Sequence, residues 1–293
     1  MKKITLVSIV SLIIGVILLF SGMALMGFDF KNFSTVKPEV NTYEITESFE
    51  NISVAVDTAN VRFAKSQDEK CTVVCKENAR TKHSVSVTDG TLTVQHESQL
   101  KWYEFIGIFT EKQCVTLYLP QTAYACLTLA TDTGDVEMPS SFTFQTAAVA
   151  TDTGDITWNA TVENSLSLAV DTGDIEINGA SATTLTVESN TGDVELSNVE
   201  CKTLSVKVDT GDVECENVIA LEKISVETDT GNVELNDCDA AELWIKTDTG
   251  DVNGRLLTDK QYIYKTSTGK VRVPETEGGR CEITTDTGDI YFR

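Results

Sequence analysis

Asp209-Thr210-Gly211-Asp212-Val213 decides the fold, because this five-residue pattern returns along most of the chain. The motif glycines are Gly134, Gly154, Gly173, Gly192, Gly211, Gly231, Gly250, Gly269 and Gly288, each 19 or 20 residues from the next. A fixed period of that length marks a repeat architecture in which each unit is one supersecondary element. Apolar residues stand seven, five and three places before the glycine, as in Leu166-Leu168-Val170 and Leu204-Val206-Val208. Others stand two and four places after it: Val136-Met138, Ile175-Ile177, Val194-Leu196 and Ile290-Phe292. The positions between are polar, with Glu188, Lys207 and Glu227 before the turn and Glu137, Glu176, Glu195, Glu214 and Glu234 after it. Alternation with period two on both sides of a turn predicts strand, corner, strand, each strand with one buried face. A third apolar position seven residues past the glycine (Ala180, Val199, Val218, Cys238) predicts a short third side.

One such unit cannot bury its own apolar face, so neighbouring units must stack. Identical side chains recurring at identical offsets favour parallel, in-register stacking over an antiparallel sandwich of hairpins, in which Thr-Gly or Gly-Asp would be the tight loop. The expected fold is all-β, a single-stranded parallel β-solenoid (β-helix-like) of 19–20-residue coils, preceded by one N-terminal transmembrane helix. At about 4.8 Å per coil the nine regular repeats of residues 127–293 would extend roughly 43 Å. Residues 43–126 read as degenerate capping coils. Ile52 to Val61 keeps the pattern with Ala59 in the glycine place, Val85 to Val94 is hairpin-like, and Cys114 to Leu119 is another strand. Terminal units of a stack are expected to be atypical.

The N-terminus carries an address. Lys2 and Lys3 precede an uncharged run from Ile4 to Phe28. As a helix this run would rise about 37 Å, enough to cross a hydrocarbon core of roughly 30 Å. Ser21-Gly22-Met23-Ala24 is a poor cleavage site, so residues 4–28 read as an uncleaved anchor. Residues 1–3 would then be a cytoplasmic stub, 29–42 a linker, and the solenoid domain 43–293 extracellular at the cell membrane. The net charge is −22, and −24 once Lys2 and Lys3 are set aside. Such a surface excludes a nucleic-acid partner and suits basic partners or divalent cations.

Eight cysteines do not read as a disulfide framework. Cys71 and Cys75 lie four strand residues apart, about 13 Å between α-carbons, beyond the roughly 7 Å limit for a bridge. Cys201, Cys215 and Cys238 sit at different offsets from their glycines and read as small buried hydrophobes. Cys114 and Cys126 stay open.

The acidic motif invites a calcium reading, and its own variants test it. Its first Asp becomes Asn190 and Ser267, and its second becomes Asn232 and Lys270. A calcium array needs its charged oxygens retained. The motif therefore reads as architecture, with turn capping at the first place and plain solvent exposure at the second. No metal site and no cofactor is expected beyond weak, diffuse binding of Ca2+ or Mg2+ to stacked carboxylates. Periodic carboxylates single out no tuned acid or base, and His83 and His96 lie outside the repeats, so no catalytic residue is predicted. Lys101 to Phe109 breaks the pattern with Trp102, Tyr103, Phe105 and Phe109. It reads as a cap over the open N-terminal end, with an exposed patch for a partner or the membrane interface as the other reading.

Phe49-Glu50-Asn51-Ile52-Ser53-Val54, Leu117-Tyr118-Leu119-Pro120 and the recurrent Thr-Gly-Asp-Val/Ile copies resemble the bacterial "putative adhesin" family of unknown function, DUF4097. The resemblance covers roughly residues 43–293 and implies a surface β-solenoid; for some members it implies a neighbourhood with envelope-stress systems. It brings no catalytic residues. The function expected is that of a non-enzymatic, membrane-anchored, adhesin-like interaction or scaffold protein. An envelope-stress component acting on a neighbouring membrane protein is the alternative, and an extracellular polysaccharide lyase or hydrolase comes third.

Overall fold

The structure is a computed structural model and describes residues 12–18, 20–22, 24, 38–78, 82–97, 113–120 and 123–293. Residues 12–18 are helical. Among the described residues no helix is long and apolar enough to cross a membrane, and most of the 4–28 stretch assigned to an anchor lies outside them. The aromatic segment with Trp102, Tyr103, Phe105 and Phe109 also lies outside them.

Residues 20–22 and 24 are helical too, and the other regular elements among the described residues are strands. The repeats form β8 (Ala123–Thr133), β9 (Val136–Met138), β10 (Thr143–Thr153), β11 (Ile156–Trp158), β12 (Thr161–Thr172), β13 (Ile175–Asn178), β14 (Ser181–Thr191), β15 (Val194–Thr210), β16 (Val213–Thr230), β17 (Val233–Thr249), β18 (Val252–Leu256), β19 (Lys260–Thr268), β20 (Val271–Arg272), β21 (Gly279–Thr287) and β22 (Ile290–Phe292). Equivalent strands pair in parallel and in register. Leu185, Leu204, Ile224 and Leu243 form one continuous inner column, and Val187, Val206, Val226 and Ile245 form the next. All eight are buried, so a one-residue slip would turn each column out to water. Ala180, Val199, Val218 and Cys238 are buried as well, which makes the third side real.

That third side turns at a second corner which the apolar pattern did not reveal. Gly179, Asn198, Asn217 and Asp237 occupy the same offset, six residues past the motif glycine, and all have φ between 53° and 70°. Glycine, asparagine and aspartate are the residues that tolerate this left-handed region. Their side chains also stack: Asn217 Nδ2 donates to Asn198 Oδ1 at 2.9 Å, and Asn198 Nδ2 donates to Asn178 Oδ1 at 3.2 Å.

The ends depart from chain order. The first coil, β2 (Asn51–Thr58) and β3 (Asn60–Lys65), does not lie at the end of the stack. It lies between β6 (Thr91–Glu97) with β7 (Cys114–Leu119) on one side and β8 with β9 on the other. At the opposite end β21 pairs with β17 and β19, while β22 pairs with β18 and β20. The last coil of the chain is thus inserted beneath the one before it, and the glycines stack in the order Gly250, Gly288, Gly269. The first and last coils thus each occupy the second position of the parallel stack, with β6 and β7 outside one and β19 and β20 outside the other. Past the N-terminal coil the pairing also turns antiparallel, through β4 (Cys71–Asn78) on β7, β1 (Pro38–Ile45) on β4, and β5 (Lys82–Thr88) on β6. β1 takes in residues 38–42 of the stretch read as linker.

Lys260 secures the C-terminal insertion at the step where the chain skips one position. Its buried Nζ donates to Asp239 Oδ1 at 2.6 Å, to the Ala240 carbonyl at 2.7 Å and to Thr258 Oγ1 at 2.7 Å. Burial alone would push the Asp239 carboxyl up, but the hydrogen bonds from Lys260 and Thr258 outweigh it and hold the group below the usual range. Gly279 lies beneath this arm. A Cβ there would meet the Ala241 carbonyl at 2.7 Å and the Lys260 side chain at 3.3 Å.

Candidate functional site: the acidic turn column

The motif turn is where the sequence concentrates charge, and the structure gives each of its residues a separate task. Along the stack every motif glycine N–H but that of Gly269 donates to the threonine carbonyl of the next coil, from Gly134 to Thr153 through to Gly288 to Thr268, at 2.8–3.0 Å. Gly211 has φ 151°, and a Cβ on it would stand 2.0 Å from the Gly192 carbonyl oxygen. That neighbour is backbone fixed in a ladder, so it cannot give way. The glycine is required by close approach of coils as much as by its own conformation. Ala59 shows the converse: its neighbouring coil, β6 with β7, carries no Thr-Gly-Asp turn, and there a methyl group fits.

Three places before the glycine, hydroxyls replace aliphatic residues in several coils. Thr151, Thr228, Thr247, Thr266 and Thr285 donate Oγ1 to the glycine carbonyl of the adjacent coil at 3.0–3.3 Å. Thr131, whose neighbour is Ala59, has a buried hydroxyl with no partner.

The second aspartate of the motif corrects an expectation. It is not simply solvent-facing: its Oδ1 accepts the backbone N–H of the equivalent residue one coil on. The chain of bonds starts at Asn60 and runs through Asp135, Asp155, Asp174, Asp193, Asp212, Asn232, Asp251 and Asp289 to Lys270, at 2.7–3.4 Å. Asparagine can replace aspartate because its side-chain oxygen accepts equally well, as Asn232 does from Asp251 N–H at 3.0 Å. Lysine cannot accept. Lys270 stands in the last coil of the stack, beyond which no coil donates, and that is why lysine is tolerated there alone. The requirement is for an acceptor, and the negative charge is incidental to it.

Beside the turn, Glu176, Glu195, Glu214 and Glu234 are register partners in one exposed line, flanked by Thr157 and Asn253. Partial burial, then Glu234, Glu195 and Glu216 around it, raise the Glu214 carboxyl above its usual range. The first aspartates of the motif are exposed too, apart from the half-buried Asp209, with Asn190 Nδ2 donating to Asp171 Oδ1 at 3.0 Å. Parallel carboxylate lines at a fixed spacing therefore run on both sides of the glycine corner, with few cations among them.

The remaining side chains singled out from the sequence lie elsewhere. His83 is buried and His96 partly so, both in the N-terminal arms. All eight cysteines are free, with Cys71, Cys75, Cys201, Cys215, Cys238 and Cys281 buried and Cys114 and Cys126 half-buried. Burial raises the Cys201 and Cys238 thiols to about 11, so the buried thiols of the repeats are inert packing groups.

The model of the Toastrack family, DUF4097, matches residues 49–217 and 201–293. The chain belongs to this family. Among solved structures, the DUF4097 chain is similar to a "putative adhesin" from Bacteroides fragilis, at 18% identity over 88% of this chain and 97% of the other, with a TM-score of 0.45. A "putative adhesin" from Parabacteroides distasonis is similar at 10% identity over 88% and 98%, with a TM-score of 0.47. A "putative lipid binding protein" from the same species is similar at 13% identity over 89% and 98%, with a TM-score of 0.43. None of the curated proteins compared with the chain matches it.

Proposed function

We propose that this DUF4097 chain is a non-enzymatic, adhesin-like surface protein, anchored in the membrane through residues 4–28. Its solenoid would offer the line Glu176, Glu195, Glu214 and Glu234, with the adjoining aspartates, to a basic partner in the cell envelope. The observation that carries this reading is the register of those four glutamates, held exposed and evenly spaced on a rigid parallel sheet. A polymeric or clustered cationic ligand fits evenly spaced like charges better than a small molecule does, because each added contact becomes intramolecular once the first has formed. The first-column aspartates lie on the other side of the same corner, while the second-column aspartates are occupied in binding one coil to the next.

Protease treatment of intact cells expressing the full chain tests the location, and it should release a fragment spanning Gly134 to Gly288. Binding of the purified chain to isolated cell envelopes tests the face. It should weaken steeply with salt and fall at least about tenfold when Glu195, Glu214 and Glu234 are all changed to Gln. Envelope binding that ignores both changes would sink the proposal.

A further inference from the structure

Away from the turn columns, in the antiparallel arms, three chemically different ligand groups meet in the interior. Cys75 and Glu77 are two residues apart on β4 and so face the same way; His83 lies on β5. Their exposures are 0%, 2% and 3%. One ligand atom from each lies within 4.8 Å of those of the other two, and among the described residues no other His, Cys, Asp and Glu side chains meet in this way. Glu77 Oε2 accepts the His83 backbone N–H at 2.7 Å and contacts His83 Nδ1 at 2.7 Å, while Glu77 Oε1 accepts from Asn41 Nδ2 at 2.5 Å. The ring of His96, opposite His83 on β6, packs edge-on at 5.9 Å, and His96 Nε2 lies 3.3 Å from Asp57 Oδ2.

We propose that Cys75, Glu77 and His83 form a binding site for a divalent cation of the zinc class, held by the thiolate sulfur, one carboxylate oxygen and one imidazole nitrogen. The mixed S, O, N set is the chemistry that zinc accepts in a tetrahedron, whereas calcium and magnesium require oxygen ligands. Charge balance supports the choice. A thiolate and a carboxylate with a neutral imidazole carry two negative charges, which a divalent ion cancels, leaving no net charge in the interior. Zinc bond lengths of about 2.0–2.3 Å put tetrahedral ligand atoms roughly 3.5 Å apart. The close Glu77–His83 contact would open by less than about 1 Å and the sulfur would draw in. Asn41 would keep the carboxylate oriented, as groups behind metal ligands commonly do. The fourth position would be taken by water.

Binding displaces the Cys75 proton to solvent. Burial, then the nearby Glu77 and Cys114, raise this thiol to about 12. The ion must work against that, so affinity should climb as pH rises. A bound ion would join β4 to β5 directly, and through Asn41 engage β1, tying together the arms that close the N-terminal end.

Cobalt is the probe, because thiolate-to-cobalt charge transfer absorbs in the near ultraviolet and a tetrahedral site adds visible bands. The purified full chain should show both at one equivalent of Co2+, and Zn2+ should abolish them. The bands should vanish in Cys75→Ser and persist in Cys114→Ser and Cys126→Ser. Glu77→Gln and His83→Gln should weaken binding at least about tenfold. Should Cys75→Ser fail to fold, X-ray absorption of the zinc-loaded wild-type chain decides, with one sulfur expected among the ligands. A shell without sulfur, or no thiolate band from a natively folded wild-type chain, overturns the proposal. A band retained in a folded Cys75→Ser also overturns it.

Discussion

Between Gly154 and Gly231, position in the chain and position in the stack are the same, whereas at both ends they are not. A stack of equivalent coils behaves nearly as a one-dimensional array, in which the outermost unit has one neighbour and opens first. In the middle of this protein nothing guards against such fraying except more of the same contacts. At the ends the first or last coil is moved inward by one position and covered by a coil attached through covalent links on both its sides. The coil β2 with β3 gains two neighbours where a sequential solenoid would give it one, and so does β21 with β22. The regular centre supplies length, and the irregular ends supply closure.

The largest expected effect comes from removing the inserted coil. Deleting residues 279–293 should strip β19 and β20 of their pairing partners, so that two coils are lost where a sequential solenoid would lose one. Limited proteolysis should then cut within residues 252–278. In the intact chain, hydrogen exchange should be slower in β21 than in β19, although β21 is nearer the C-terminus.

Gly211→Val comes next. It places a branched Cβ where the Gly192 carbonyl lies 2.0 Å away, and should lower unfolding stability by about 3–5 kcal/mol in denaturant titration. Ala59→Gly, at the equivalent place beside a coil whose sequence lacks the Thr-Gly-Asp motif, should cost about 1 kcal/mol or less. Similar costs at the two sites would remove the explanation from close approach.

Lys260→Met should destabilise the C-terminal end by about 2–3 kcal/mol, somewhat under the range for a fully buried pair, because the Asp239 side chain keeps 23% exposure. Native-state hydrogen exchange should place that loss in β19 and β21 and leave β14 to β16 unchanged.

The smallest effect separates acceptor from charge in the second aspartate column. Asp212→Ala removes the acceptor for the Asn232 N–H and should cost about 1 kcal/mol. Asp212→Asn keeps an oxygen there and should cost less than half of that. Equal losses from both would return the role to the carboxylate charge.

The coils were legible in the sequence because their causes are local. Alternation of Leu204-Val206-Val208 with polar residues fixes a strand face, and Gly211 fixes a corner, within about ten residues of one another. The second corner was also legible in principle, through Gly179, Asn198, Asn217 and Asp237 at one offset. It was missed because an αL requirement leaves no apolar signature. The role of Asp212 was misread for a different reason, since its partner is 20 residues away on the next coil and outside any local window. The Cys75, Glu77 and His83 group lay hidden likewise, split between two strands whose pairing the periodicity does not address.

The sequence by itself determined the coil: its length, its inner and outer faces, its glycine corner and its acidic exterior. Only the tertiary structure decided the order of the coils. Neighbouring coils present nearly the same apolar columns and the same backbone ladder, so almost any two could stack, and local sequence barely distinguishes the partners. The exceptional residues mark the order: a lysine where no further coil follows, an alanine beside a coil whose sequence lacks the Thr-Gly-Asp motif, and a glycine that lets Lys260 cross to Asp239. Each is ambiguous until the coil beside it is known, because its meaning lies in what it touches across the stack.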